Sequence, residues 1–201
     1  MTGYVYQLNC SAGGVPKLAV AEAELTPVGL VGDVQAKPLI HGGPERALSL
    51  YSLEVIERLR TEGHPISPGS AGENVTVAGL DWPRLAPGAR LAIGDEVVVE
   101  ITKYANPCPT IRGSFRGGEF KRISQKLRPG ESRLYARVMR TGRIAAGQTV
   151  RVIDPEESDG GEETGRAAAD SRTHGSIIDR VAAALAPRGN GRKPGVSRWT
   201  R

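Results

Sequence analysis

Polar and apolar residues alternate from Gly3 to Asn9, which predicts an opening β-strand. Lys17 to Leu25 fits a strand or a helix, and the Thr26-Pro27 stop favours a strand. Val28 to Gln35 is short, apolar and glycine-containing. Arg46 to Tyr51 predicts another short strand. Ser52 then offers a helix N-cap. Behind it Val55, Ile56 and Leu59 fall on one face, with Glu54, Glu57, Arg58 and Arg60 on the other. Gly63 ends that helix, and His64 in the following loop is expected to face solvent.

The glycine-rich run Ser67–Val77 leads into a strand at Val75–Val77, and Gly79–Pro83 leaves it. Pro87–Asp95 predicts a hairpin arm and its turn. The strongest strand follows, Glu96 to Thr102, with Val-Val-Val-Glu-Ile at its centre. After a basic stretch, split by Gly117-Gly118 into two short helical pieces, come a strand at Leu134–Arg140, a turn at Thr141-Gly142 and a last strand at Gln148–Ile153. Strands joined by turns, with helices inserted, predict an α+β, mainly β fold: a β-barrel with short peripheral helices over residues 1–153.

Residues 154–201 have a different composition. Glu156 to Glu163 is acidic, Ser176–Ala186 has the pattern of a short helix stopped by Pro187, and Arg188–Arg201 has five bases and no acids among Gly, Pro and Ser. This predicts a low-complexity, flexible tail.

Charge sharpens the division. The chain of 201 residues carries a net +5. Residues 154–201 hold eight charges of each sign, so residues 1–153 carry the whole excess. A basic globular part invites an anionic ligand or nucleic acid. No run of about 18 apolar residues predicts a membrane helix, and no basic-then-apolar leader is visible. A reducing cytoplasm is therefore expected, where Cys10 and Cys108 stay thiols.

Two stretches carry candidate chemistry. Cys108 lies between Pro107 and Pro109, just past the strongest strand. The prolines fix φ and hold the loop non-helical. The thiol there is either a functional group on a stiff loop or a small hydrophobe in a tight turn. Cys10, near the first strand's end, has no evident cationic neighbourhood. The second stretch is His41-Gly42-Gly43, which offers an imidazole beside a backbone able to approach a ligand; alternatively it is a turn with a surface histidine. Glu73-Asn74 at a strand entry either orients a polar ligand or satisfies turn backbone. Residues 110–133 hold seven bases against two acids, either an anion site or a solvated face. Nucleic acid ranks below a small anion, because that segment holds only Phe115 and Phe120 for stacking.

His41-Gly-Gly with Arg46-Ala, Ala71-Gly-Glu-Asn-Val-Thr-Val-Ala-Gly-Leu80, Leu91-Ala-Ile-Gly-Asp95 and Asn106-Pro-Cys-Pro-Thr110, in that order, resemble the MOSC domain, named for the C-terminal domain of molybdenum cofactor sulfurases. The resemblance covers residues 3–153 and is closest to stand-alone bacterial members. It implies a β-barrel-centred fold and a molybdenum cofactor (molybdopterin), whose metal the cysteine at Cys108 ligates. It implies catalytic roles for Cys108 and His41, and cofactor contacts from Gly42, Gly43, Arg46, Glu73, Asn74, Arg112 and Arg116. Arg112 is the foremost candidate for the cofactor phosphate. At family level alone it also carries pyridoxal phosphate binding, to which no residue here is assigned. The activity implied is reduction of N-hydroxylated or N-oxygenated small molecules. No flavin, haem or iron–sulfur motif is present, so a separate electron-donor protein is required. The alternative is a non-catalytic cofactor carrier or a sulfur-transfer module using Cys108.

Overall fold

The barrel closes between its first strand and its last. In a computed structural model, which describes residues 2–34 and 42–154, β1 (Thr2–Cys10) pairs antiparallel with β11 (Thr149–Ile153), Tyr4 opposite Thr149. Between them run β7 (Arg90–Ile93), β8 (Val97–Tyr104), β9 (Leu134–Arg140), β5 (Leu48–Ser52) and β6 (Val75–Ala78). These seven strands close the ring, and β2 (Leu18–Val20) extends it beyond β1. A second, smaller sheet joins β10 (Gly142–Ala145), β3 (Glu22–Thr26) and β4 (Gly29–Leu30). The fold is the mainly β barrel that the strand pattern predicts. His41, the end of the Val28–Gln35 stretch, and the tail with its Ser176–Ala186 helix lie outside the described residues.

β5 and β6 pair in parallel, and parallel neighbours need a crossover. Helix α1 (Leu53–Thr61) supplies it. The Ser52 hydroxyl oxygen accepts from Val55 N–H at 3.3 Å, capping the helix. Val55, Ile56 and Leu59 are its buried face, as the periodicity predicts. Glu54 bridges Ser52 Oγ at 2.6 Å and Gly79 N–H at 2.6 Å, fastening the helix start to the end of β6.

The Val-Val-Val run of β8 is buried on both faces. Val97, Val99 and Ile101 join the main core with Leu50, Leu91, Leu134 and Val150. Val98 packs outside the barrel with Ala92 and Ile153. Two-sided burial is what an unalternating apolar strand needs. Two expectations are corrected here. Lys17–Leu25 is two strands, β2 and β3, and not one. The basic stretch forms three 3-10 turns (Pro109–Ser114, Arg116–Gly118 and Phe120–Ile123), because Gly117 and Gly118 adopt φ of 64° and 73° and interrupt any longer helix. Among the described residues no helix is long and apolar enough to cross a membrane.

Candidate functional site

At one end of the barrel the β1–β2 loop, the loop between α1 and β6, and the loop after β8 enclose a cavity of about 130 Å3. Cys108, Thr110 and Ile111 form one wall. Cys108 has φ −127° and ψ 163°, the extended backbone that its two prolines predict. Its carbonyl accepts from Ile111 N–H at 3.2 Å, and the chain enters the first 3-10 turn there. The thiol side chain is half-buried, at the cavity and not within the core.

Arg46, Ser49, Asn74, Arg133 and Tyr135 also line it. Arg133 is 5% exposed and forms no salt bridge among the described residues. Its Nη1 donates to Ser49 Oγ at 3.4 Å, while its Nε, buried, has no hydrogen-bond partner among them. A buried guanidinium lacking a carboxylate is costly, and an anionic ligand in the cavity would relieve that cost. The Arg133 position gave one sequence signal: a cation immediately before the apolar strand Leu134–Arg140. Lys17 stands the same way before β2 and also lines the cavity. A cation at a strand entry sits at the barrel mouth, where loops gather functional groups. Neither residue stood out from the sequence as a site residue.

Lys17 pairs with Asp33. Asp33 also accepts from Ser11 N–H at 2.9 Å and from Asn74 Nδ2 at 2.9 Å. Asn74 in turn accepts from Ser49 N–H at 3.2 Å through Oδ1, so it ties β5 to the β1–β2 side. It lines the cavity, and its own hydrogen bonds go to Ser49 N–H, Asp33 and the Asn9 carbonyl.

Glu73 stands behind the wall. It is fully buried, and burial raises its carboxyl pKa above the ordinary carboxylate range. One oxygen accepts from Gly69 N–H at 2.6 Å and from Thr76 Oγ1 at 3.2 Å; the other has no partner among the described residues. The Arg133 charge pulls the opposite way, lowering the same pKa. Glu73 thus shapes the 69–72 loop and does not reach the cavity. Gly72 completes that loop with φ 83°; a Cβ there would lie 2.9 Å from Val15 Cγ1, so glycine is required.

The other expected residues are spread out. Gly43 is exposed at the start of the 3-10 turn Pro44–Arg46, and Gly42 is half-buried; neither lines the cavity. Arg112 and Arg116 are exposed and also lie off the cavity wall. They lie on the first two 3-10 turns that follow Cys108. The cations on the wall are Lys17, Arg46 and Arg133. His64 is not solvent-facing but 7% exposed. Gly63, at φ 86°, turns the chain inward, and His64 Nδ1 accepts from Arg116 N–H at 3.1 Å with its ring edge-on to Phe115. Cys10 does not line the cavity. Burial first and the Asp33 carboxylate next push its thiol pKa up, against a smaller opposing effect of Lys17, a cation near it that the sequence did not suggest.

The MOSC domain model matches residues 37–151. The Bacillus subtilis (strain 168) protein YflK is 30% identical over 127 residues, 63% of this chain and 56% of that protein. A Gibberella moniliformis protein named Reductase is 27% identical over 130 residues, covering 63% of this chain and 23% of its own length. The chain therefore spans a quarter to little more than half of these relatives. The crystal structure of YiiM from Geobacillus stearothermophilus superposes with a TM-score of 0.61 at 21% identity, over 76% of this chain and 75% of that one, a likeness of fold. The motifs, the closed barrel and the family match agree: the chain belongs to the MOSC domain family.

Proposed function

We propose that this protein binds a molybdenum cofactor and reduces N-hydroxylated or N-oxygenated small molecules, taking electrons from a separate redox protein. One observation carries the reading: the buried guanidinium of Arg133, whose Nε has no hydrogen-bond partner among the described residues, shares a cavity with the Cys108 thiol. A thiolate suits a thiophilic metal, and a buried Arg suits a phosphate or another planar anion. The residues present therefore fit the group. A family relative named Reductase agrees with redox chemistry.

When bound, the cofactor supplies two-electron redox chemistry. The chain's own residues would do the rest. Cys108 would hold the metal as a thiolate. Arg133, with Lys17 and Arg46 lining the same cavity, would hold the cofactor's anionic groups. Val15, Ala71 and Ile111 would keep water from the reacting atoms. His41, outside the described residues, would give a proton to the departing hydroxyl. The overall conversion of N–OH to N–H takes two electrons and two protons and releases water. Two free cysteines agree with a reducing, cytoplasmic setting.

The test is reduction of an N-hydroxylated amidine by protein made in a cofactor-synthesising host, with reduced methyl viologen as electron source. Amidine formation is expected. Bound molybdenum with no amidine would leave the carrier role, and absence of both would overturn the reading.

A further inference from the structure

Of the cations that follow Cys108 in residues 110–133, only Arg133 lines the cavity; the others lie off it. Arg112, Arg116, Lys121, Lys126 and Arg128 are exposed and make no ion pair among the described residues. Arg122 is different. It is held between Glu62 at 2.6 Å and Glu131, with its side chain only 14% exposed. The five exposed cations thus keep their full charge toward solvent, with Glu119 the one acid exposed among them.

Two of them, Lys121 and Arg128, wall a groove of about 560 Å3 together with Phe120, Leu127, the ion-paired Arg122 and the acid Glu119. A Cβ at Gly118, also on that groove, would meet Arg112 Cβ at 3.9 Å, so Arg112 stands at its rim. Leu127, 60% exposed, supplies an apolar centre beside the half-buried Phe120. An apolar centre within a charged rim is the anatomy of a protein interface. Phe115 is buried and Phe120 partly so, which leaves no stacking platform of the kind single-stranded nucleic acid uses.

The same segment carries the thiol. Arg112 is four residues past Cys108 on the 3-10 turn Pro109–Ser114, about 8 Å along its axis. A protein docked on the groove would lie close behind the Cys108 wall. We infer that the outer face of residues 112–128 docks a small acidic electron-transfer protein, steered by its charge to the back of the site. This rests on the proposed reductase reading for the partner's purpose, but the docking itself needs neither metal nor turnover.

The probe is a plant-type ferredoxin, a small acidic iron–sulfur protein, titrated into the full chain and followed by calorimetry. The parent should bind in the micromolar range at low salt and lose most of that affinity at physiological ionic strength, where the Debye length is about 8 Å. Lys121→Glu with Arg128→Glu should weaken binding at least about tenfold. Both positions are exposed and unpaired, so the melting temperature should hold. Arg151→Glu, an exposed arginine on β11, should leave binding unchanged. No binding by the parent, equal weakening by Arg151→Glu, or tighter binding of single-stranded DNA than of ferredoxin would overturn the inference. Binding by a protein that carries no molybdenum would uphold docking while removing the reductase reading. Molybdenum without binding would do the reverse.

Discussion

The Ser114 hydroxyl donates to the Ser70 carbonyl at 2.7 Å, joining the turn that follows Cys108 to the glycine-rich loop across the cavity. Ser114 is buried, so Ser114→Ala leaves the Ser70 carbonyl without this donor. The expected cost is about 1–2 kcal/mol, read by urea denaturation. Cofactor retention should fall with it, because the two walls lose a tie. An unchanged denaturation midpoint would show that the walls are held by packing alone.

Arg133→Met separates stability from binding. It removes a buried charge whose Nε is unpartnered, so stability should stay within about 1 kcal/mol of the parent. Inorganic phosphate should raise the parent's melting temperature by binding the native state and should not raise the variant's. An equal rise in both would remove Arg133 as the anion contact.

Glu73 makes stability depend on pH with a definite sign. Burial raises its folded-state pKa above the ordinary 4.5. Below about 4.5 the carboxyl is protonated in both states. As pH rises past that value the unfolded chain releases the proton first, and stability falls until the folded carboxyl also ionises. Glu73→Gln has no such slope, so its stability relative to the parent should climb as pH increases. Parallel denaturation curves from pH 4 to pH 8 for the two proteins would contradict the assignment.

Arg122→Ala should cost about 2–3 kcal/mol, since it removes charge-assisted hydrogen bonds to both Glu62 and Glu131 and leaves Glu131 only its pair with Arg58. Glu62, whose pKa the Arg122 hydrogen bond lowers most, should titrate higher in the variant by NMR. A cost near zero would place Arg122 with the exposed cations of the groove.

The barrel was legible where periodicity reports burial. Val55, Ile56 and Leu59 are the buried face of α1, and Leu134–Arg140 is a strand end to end. β10 was missed, because Gly142–Ala145 buries only Ile144 and pairs with the glutamate-bearing β3, leaving little apolar period to read. At the site, Cys108 was legible because flanking prolines constrain backbone, and backbone constraint is written locally. Which cation of a basic run turns inward is decided by tertiary contacts, so Arg112 and Arg133 looked alike. His64 misled for a related reason. A polar residue after a helix-ending glycine usually meets solvent, but here the Arg116 N–H satisfies it inside.

The central claim is that Cys108 holds the metal of a cofactor seated against Arg133. The most direct measurement is molybdenum content by mass spectrometry, on the parent, Cys108→Ala and Cys10→Ala, all made in a host that synthesises the cofactor. Near-stoichiometric molybdenum is predicted in the parent and in Cys10→Ala, with background levels in a folded Cys108→Ala. Stoichiometric molybdenum retained by Cys108→Ala, or none in the parent, would contradict it.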